Sequence, residues 1–182
     1  AHLDRVVEVV RSGGAIWGSE DAVGEVARPS GPGDGGEIVV IGEPGRERST
    51  SELLGAAASL ADTIGGRTVL TIDVVHDWEA LSGQGADRVL RHAGVTGADE
   101  VARMLTRSLV EDPPWAVLAP STAWGREVAA RLAIRLDAGL TGDAVGLEVR
   151  DRRLIALKPA FGGRLVAEIT CTSTVQMATV RS

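Results

Sequence analysis

Ile38-Val39-Val40-Ile41 is an uninterrupted run of β-branched residues, ended by Gly42. A strand with one face in water alternates apolar and polar side chains, whereas a continuous apolar run suits a strand covered on both faces of a parallel sheet. A parallel sheet in turn requires crossover helices, and the next segment supplies one. Leu53, Leu54, Ala57, Leu60, Ala61 and Ile64 form a stripe at helical spacing, with Ser49 or Thr50 placed to cap its start and Gly65-Gly66 to end it. The first legible unit is therefore strand, helix, and return to the sheet.

The same rhythm continues. Residues Thr68 to Val75 read as a second strand, Trp78 to Leu81 as a helical turn, Arg88 to Arg91 as a third strand, and Thr96 to Val110 as a helix with Val101, Met104, Leu105 and Leu109 inward. Pro113-Pro114 break that helix, and Trp115 to Ala119 form another buried strand. Arg126 to Leu136 are helical, with Val128, Ala129, Leu132, Ala133 and Leu136 on one side, and Gly139 closes the helix. Alternation of this kind predicts an α/β fold of Rossmann-like, nucleotide-binding type: a mostly parallel sheet with helices on both faces. After Thr141 the runs Val145–Val149, Leu154–Leu157, Leu165–Thr172 and Val175–Val180 follow one another without helices, so an antiparallel meander is expected at the carboxy-terminal end.

Upstream of Glu37 the pattern differs. Leu3, Val6, Val7 and Val10 have helical spacing, and Ala27 to Gly36 combine Pro, Gly, Ser and Asp without periodicity. The expected organisation is an appendage over residues 1–26, a linker over 27–36, and one domain over 37–182. No apolar run approaches the roughly 20 residues that span a bilayer, so membrane insertion is not expected and the chain reads as soluble and cytoplasmic.

Composition narrows the function. A net charge of −6, with basic residues interleaved with acidic ones, gives no continuous basic face for phosphate backbones, and Phe161 is the only aromatic residue besides four tryptophans. A nucleic-acid partner is therefore not expected. The single cysteine, Cys171, excludes an internal disulfide or a multi-thiolate metal site, and it sits in an alternating run that suits a half-buried core thiol. His2, His76 and His92 are scattered without metal-ligand spacing, so no metal site and no catalytic residue are assigned.

The loop Ser121-Thr122-Ala123-Trp124-Gly125 and the following Arg126 lie between a strand's carboxyl end and a helix's amino terminus, where free N–H groups and the helix dipole favour an anion. Ser121, Thr122, Gly125 and Arg126 are accordingly the candidate cofactor-binding residues. A plainer reading also stands: Ser121 or Thr122 caps the helix, Gly125 allows close packing, and Arg126 is solvated. For Pro159 to Gly163 a tight reversal between strands suffices, with Phe161 either in the core or anchoring an interface.

Three separated stretches together resemble the alpha subunit of electron-transfer flavoproteins. They are Leu118-Ala119-Pro120-Ser121-Thr122-Ala123-Trp124-Gly125-Arg126, leading into Ala129-Ala130-Arg131-Leu132-Ala133; then Pro159-Ala160-Phe161-Gly162-Gly163; then Gln176-Met177-Ala178-Thr179-Val180-Arg181. Thr141-Gly142-Asp143 falls where the family has a similar turn. The resemblance implies the amino-terminal domain of such a subunit, scaffolding a beta subunit in a heterodimer and receiving electrons from dehydrogenases through the complex. It further implies that most of the FAD belongs to a carboxy-terminal domain outside this sequence, so that no cofactor is expected in this chain alone. Phe161 and Arg181 are then the expected partner-interface residues. The alternatives are a stand-alone nucleotide-binding α/β domain and a structural adaptor; on the first reading the chain is a component of an electron carrier rather than an enzyme.

Overall fold

The computed structural model describes residues 35–74, 78–92 and 94–181, together with the backbone of two short strands, β1 (Val6–Glu8) and β2 (Val23–Glu25). The remaining elements follow in order: β3 (Glu37–Ile41), α1 (Glu47–Ile64), β4 (Arg67–Ile72), α2 (Trp78–Gly83), β5 (Arg88–Arg91) and α3 (Ala98–Glu111). Then come β6 (Ala116–Pro120), α4 (Ala123–Arg135), β7 (Gly139–Ala144), β8 (Gly146–Arg150), β9 (Arg153–Ala160), a 3₁₀ turn (Phe161–Gly163), β10 (Leu165–Ile169) and β11 (Gln176–Val180).

Among the described residues the main sheet has the order β1-β2-β5-β4-β3-β6-β11-β7. The stretch from β5 to β7 is parallel throughout, and β2 joins β5 antiparallel. Successive side chains of each strand face opposite layers. Val39, Ile41, Val117 and Ala119 pack with Val101 and Leu105 of α3 and Val128 and Leu132 of α4. Ile38, Val40, Ala116 and Leu118 pack on the other face with Leu54, Ala57 and Leu60 of α1. The expected α/β class with helices on both faces is the observed one.

The second face is completed by a separate antiparallel sheet, β10-β9-β8. Leu154 of β9 is buried in the same layer as α1. Its backbone N–H donates to Oε1 of the buried Gln176 at 2.8 Å, which ties the small sheet to β11. Val145 N–H donates to the Leu157 carbonyl at 2.8 Å, and Trp115 Nε1–H to the Arg152 carbonyl at 3.2 Å.

Several expectations are corrected. Val175–Val180 does not continue the meander: β11 enters the main sheet parallel to both β6 and β7. Its continuous burial carries the same signature as β3, which is what a strand covered on both faces requires. Residues around Thr141 form β7 rather than a turn, with a register shift opposite Ala178–Val180 that accommodates Asp143 at φ 62°. The first segment is not helical at Val6–Glu8, where backbone groups pair with β2 instead and β-branched Val6 and Val7 suit an extended chain. Helix α1 begins at Glu47, so Ser49 and Thr50 lie within its first turn rather than capping it. Helix α3 begins at Ala98 and β4 ends at Ile72.

Of the expected linker, residues 27–34 lie outside the described residues. Gly35 and Gly36, at its end, belong to the packed structure. A side chain on Gly35 would collide with the backbone of Ile64 to Gly66, and the Gly36 carbonyl accepts from Arg67 N–H at 3.1 Å.

Candidate functional site

Strands β3 and β6 are neighbours in the sheet, but the chain leaves β3 towards β4 on one side and leaves β6 on the other. The two connections therefore diverge and open a crevice at the carboxyl ends of the strands, the usual place for a ligand in this architecture. A crevice of about 710 Å³ lies there, lined on one side by Gly45, Arg46 and Arg48 and on the other by Ser121, Thr122 and Arg126, with Arg181 completing it.

Each wall follows from local sequence. After β3, Gly42 N–H donates to the Thr71 carbonyl at 2.8 Å, and Gly45 takes φ 71°, a conformation that costs glycine little, so the chain turns directly into α1. No side chain caps α1 at Arg46. After β6, Thr122 is the cap of α4: its Oγ1 accepts from Gly125 N–H at 2.9 Å and donates to Glu43 Oε2 at 2.6 Å. The Thr122 hydroxyl thus joins the two walls. A side chain on Gly125 would collide with the Pro120 carbonyl and ring, so this glycine sets the close seat of α4 on β6.

Beside the crevice a charged cluster joins α4, β7 and the end of β11. Arg126 places Nε 3.0 Å and Nη2 2.6 Å from Asp143 Oδ1, and Arg181 Nη2 is 3.8 Å from Asp143 Oδ2. Asp143 N–H donates to Thr179 Oγ1 at 2.9 Å, and Ser121 Oγ donates to the same oxygen at 3.0 Å. The hydrogen bond from Arg126 holds the Asp143 carboxyl below its ordinary pKa, with Ser121 and the charges of Arg126 and Arg181 acting in the same direction. On the other wall Arg46 Nε is 3.4 Å from Glu43 Oε1, and Arg48 Nε donates to Glu52 Oε1 at 3.0 Å.

Three of the four loop residues singled out from sequence, Ser121, Thr122 and Arg126, line the crevice, whereas Gly125 lies behind it in the packing of α4. Arg181, for which the resemblance implied an interface position, also lines it. Sequence reasoning missed Arg46, Arg48, Glu43 and Asp143. The apolar pattern ends at Gly42, and nothing in the spacing of residues 43–48 shows that they return beside residue 122.

Phe161 stands elsewhere, in the 3₁₀ turn between β9 and β10, with φ 50° and 80% of its surface exposed. The core alternative for Phe161 is thereby excluded. Leu165 and Val166, just beyond it on β10, are likewise exposed. Cys171 is half-buried, with Sγ 3.8 Å from Thr141 Oγ1. His92 is buried: Nδ1 is 2.9 Å from the Val95 carbonyl, and desolvation lowers its pKa. Among the described residues no group of His, Cys, Asp or Glu is gathered to hold a metal ion, and no helix is long and apolar enough to cross a membrane.

Comparison with known proteins agrees with this architecture. The family model described as "Electron transfer flavoprotein domain" matches residues 44–182. The chain belongs to the electron transfer flavoprotein family. It is similar to the electron transfer flavoprotein subunit alpha of Clostridium acetobutylicum, 34% identical over 146 residues, which cover 74% of this chain and 43% of the relative. The subunit alpha of Megasphaera elsdenii is 36% identical over 160 residues, covering 79% of this chain and 46% of that protein. The lactate dehydrogenase (NAD(+),ferredoxin) subunit LctC of Acetobacterium woodii is 31% identical over 144 residues, covering 72% and 34% respectively. The chain spans less than half the length of these family relatives.

Proposed function

We propose that this chain is the amino-terminal docking domain of an electron transfer flavoprotein alpha subunit, pairing with a beta-type subunit and supporting a separate FAD domain that takes electrons from dehydrogenases. The observation that carries the docking role is the apolar end of the small sheet. Phe161, Leu165 and Val166 lie within one hairpin and are 80%, 60% and 59% exposed. Leu165 and Val166 face opposite sides of β10, so the hairpin exposes large apolar side chains on both faces as well as at its turn, a concentration that marks a contact surface more often than scattered exposure does. Similarity to proteins named as alpha subunits, or as subunits of larger electron-transfer systems, supports a multi-component setting.

Flavin, when bound, supplies the electron chemistry of such a protein, and the fold's part is binding and orientation. An isoalloxazine ring needs a flat apolar or aromatic slot. The crevice residues are glycine, serine, threonine, arginine and glutamate, which suit charged groups and do not fit that ring. No step through flavin is therefore assigned to this crevice, and on the proposed reading the ring belongs to another domain of the assembly.

Co-expression with a beta-type subunit of the family tests the proposal. A stable heterodimer weakened by Phe161→Ala is the expected outcome. Failure of the wild-type chain to pair would remove the docking role.

A further inference from the structure

We propose that the crevice between the β3–α1 and β6–α4 connections is a binding site for a diphosphate group. Four guanidinium groups line it, beside the carboxylates of Glu47 and Glu52, although the chain as a whole carries a net charge of −6. Arg46 and Arg48 follow β3, Arg126 belongs to α4, and Arg181 follows β11, so three separate parts of the chain converge on one cleft. Arg103, Arg131 and Arg135 also converge, but on the Asp99 carboxylate rather than on a cleft.

The arginines have carboxylate partners, and the strength of those pairings decides whether a ligand can compete. The side chains of Arg46, Arg48, Arg126 and Arg181 are 60%, 94%, 49% and 56% exposed in their pairs with Glu43, Glu52, Asp143 and Asp143. The Arg46, Arg48 and Arg181 guanidinium groups are open to water and loosely held, whereas Arg126 makes two hydrogen bonds to Asp143, which is only 28% exposed. A phosphate accepts two parallel hydrogen bonds from a guanidinium and carries more charge than a carboxylate. Arg181 is the weakest held, at 3.8 Å from Asp143, and Arg46 comes next at 3.4 Å. These two lie on opposite walls and are free to turn toward a shared anion.

The lining also limits the ligand. Its residues are Gly, Ser, Thr, Arg and Glu, with no apolar wall against which a nucleobase would stack. Recognition is therefore of phosphoryl groups, and two arginine-bearing walls suit a ligand with two of them. Such a site lies at the strand ends of the main sheet and does not depend on the docking role of the β9–β10 hairpin.

Calorimetric titration of the 182-residue chain at low ionic strength tests this directly, using inorganic pyrophosphate, orthophosphate, AMP and a polyglutamate peptide. Pyrophosphate is expected to bind saturably, at least tenfold tighter than orthophosphate, with AMP no tighter than orthophosphate. The double variant R46E/R48E should weaken pyrophosphate binding at least tenfold with only a small fall in melting temperature, since both side chains are on the surface but their partners Glu43 and Glu52 would then face like charges. R126Q/R181Q should weaken binding likewise, with some loss of melting temperature because Asp143 loses both of its arginine partners. Absence of saturable pyrophosphate binding, or binding indifferent to R46E/R48E, would overturn the proposal whether or not the second variant folds. Tighter binding of AMP than of pyrophosphate would overturn the diphosphate assignment. Preference for polyglutamate would replace it with an acidic protein segment.

Discussion

At the scale of single residues, Gly125 and Asp143 do different work at the same crevice. Alanine is favoured over glycine inside a helix by about 1 kcal/mol. At Gly125 the added Cβ would meet the Pro120 carbonyl oxygen, a backbone atom of the adjoining strand that cannot swing aside. Overpacking of this kind costs about 1–3 kcal/mol, so Gly125→Ala is expected to lower stability despite its better propensity, by about 1 kcal/mol net in denaturant unfolding. A variant as stable as the wild type would show that α4 can shift off β6 at no cost. Asp143 is tested by acid. Arg126 depresses its folded-state pKa, so its contribution is fully present above the unfolded carboxyl value near about 3.9 and is lost as pH falls through the lower folded value. The stability difference between wild type and Asp143→Asn should therefore shrink as the pH drops below about 4. A difference constant through that range would mean that the ion pair is not what stabilises the carboxylate.

At the scale of elements, what could be read in advance depended on whether the signal was local. β3 and β6 were legible because continuous apolar runs are required of strands buried on both faces, and α1 and α4 because their stripes keep helical spacing. β7 was not, since Gly139-Leu140-Thr141-Gly142-Asp143-Ala144 contains two glycines and no β-branched run, and its strand state comes from pairing with β11. β11 was recognised as a strand but placed in the wrong sheet. Chain order suggested the nearest neighbour, whereas the buried Gln176 and the residues after it cross to the gap between β6 and β7. The crevice was half legible for the same reason: Ser121 to Arg126 form a local strand-to-helix connection, but Arg46 and Asp143 reach it only through the sheet order. Hydrogen exchange checks the revised placement. β11 is hydrogen-bonded on both sides, so the Met177 and Ala178 amides should be among the slowest to exchange, while β10, at the edge of the small sheet, should exchange much faster. Comparable rates in the two strands would return β11 to the periphery.

At the scale of the whole molecule, the fold separates a charged crevice from an apolar hairpin, and the proposed docking role rests on the hairpin. The main sheet is covered by α3 and α4 on one face and by α1 with the small sheet on the other, so its own burial requirements are met within the chain. Phe161 is outside that arrangement. Its φ of 50°, followed by Gly162 at 69° and Gly163 at 83°, turns the chain through the left-handed region and leaves the ring in water. A non-glycine residue in that conformation costs about 1–2 kcal/mol, and a side chain 80% exposed buries little surface to offset it. A partner that covers the ring would do so. Truncating an exposed side chain removes no core packing, so Phe161→Ala should keep the wild-type melting temperature. If the ring anchors the interface, the loss on truncation should reach about 2 kcal/mol, which is close to a thirtyfold weaker Kd for the beta-type subunit. Size-exclusion or calorimetric measurement of the heterodimer reads that change directly. Unchanged pairing by a folded Phe161→Ala variant would move the interface off the hairpin, and Leu165→Ser and Val166→Ser would then show whether β10 contributes at all.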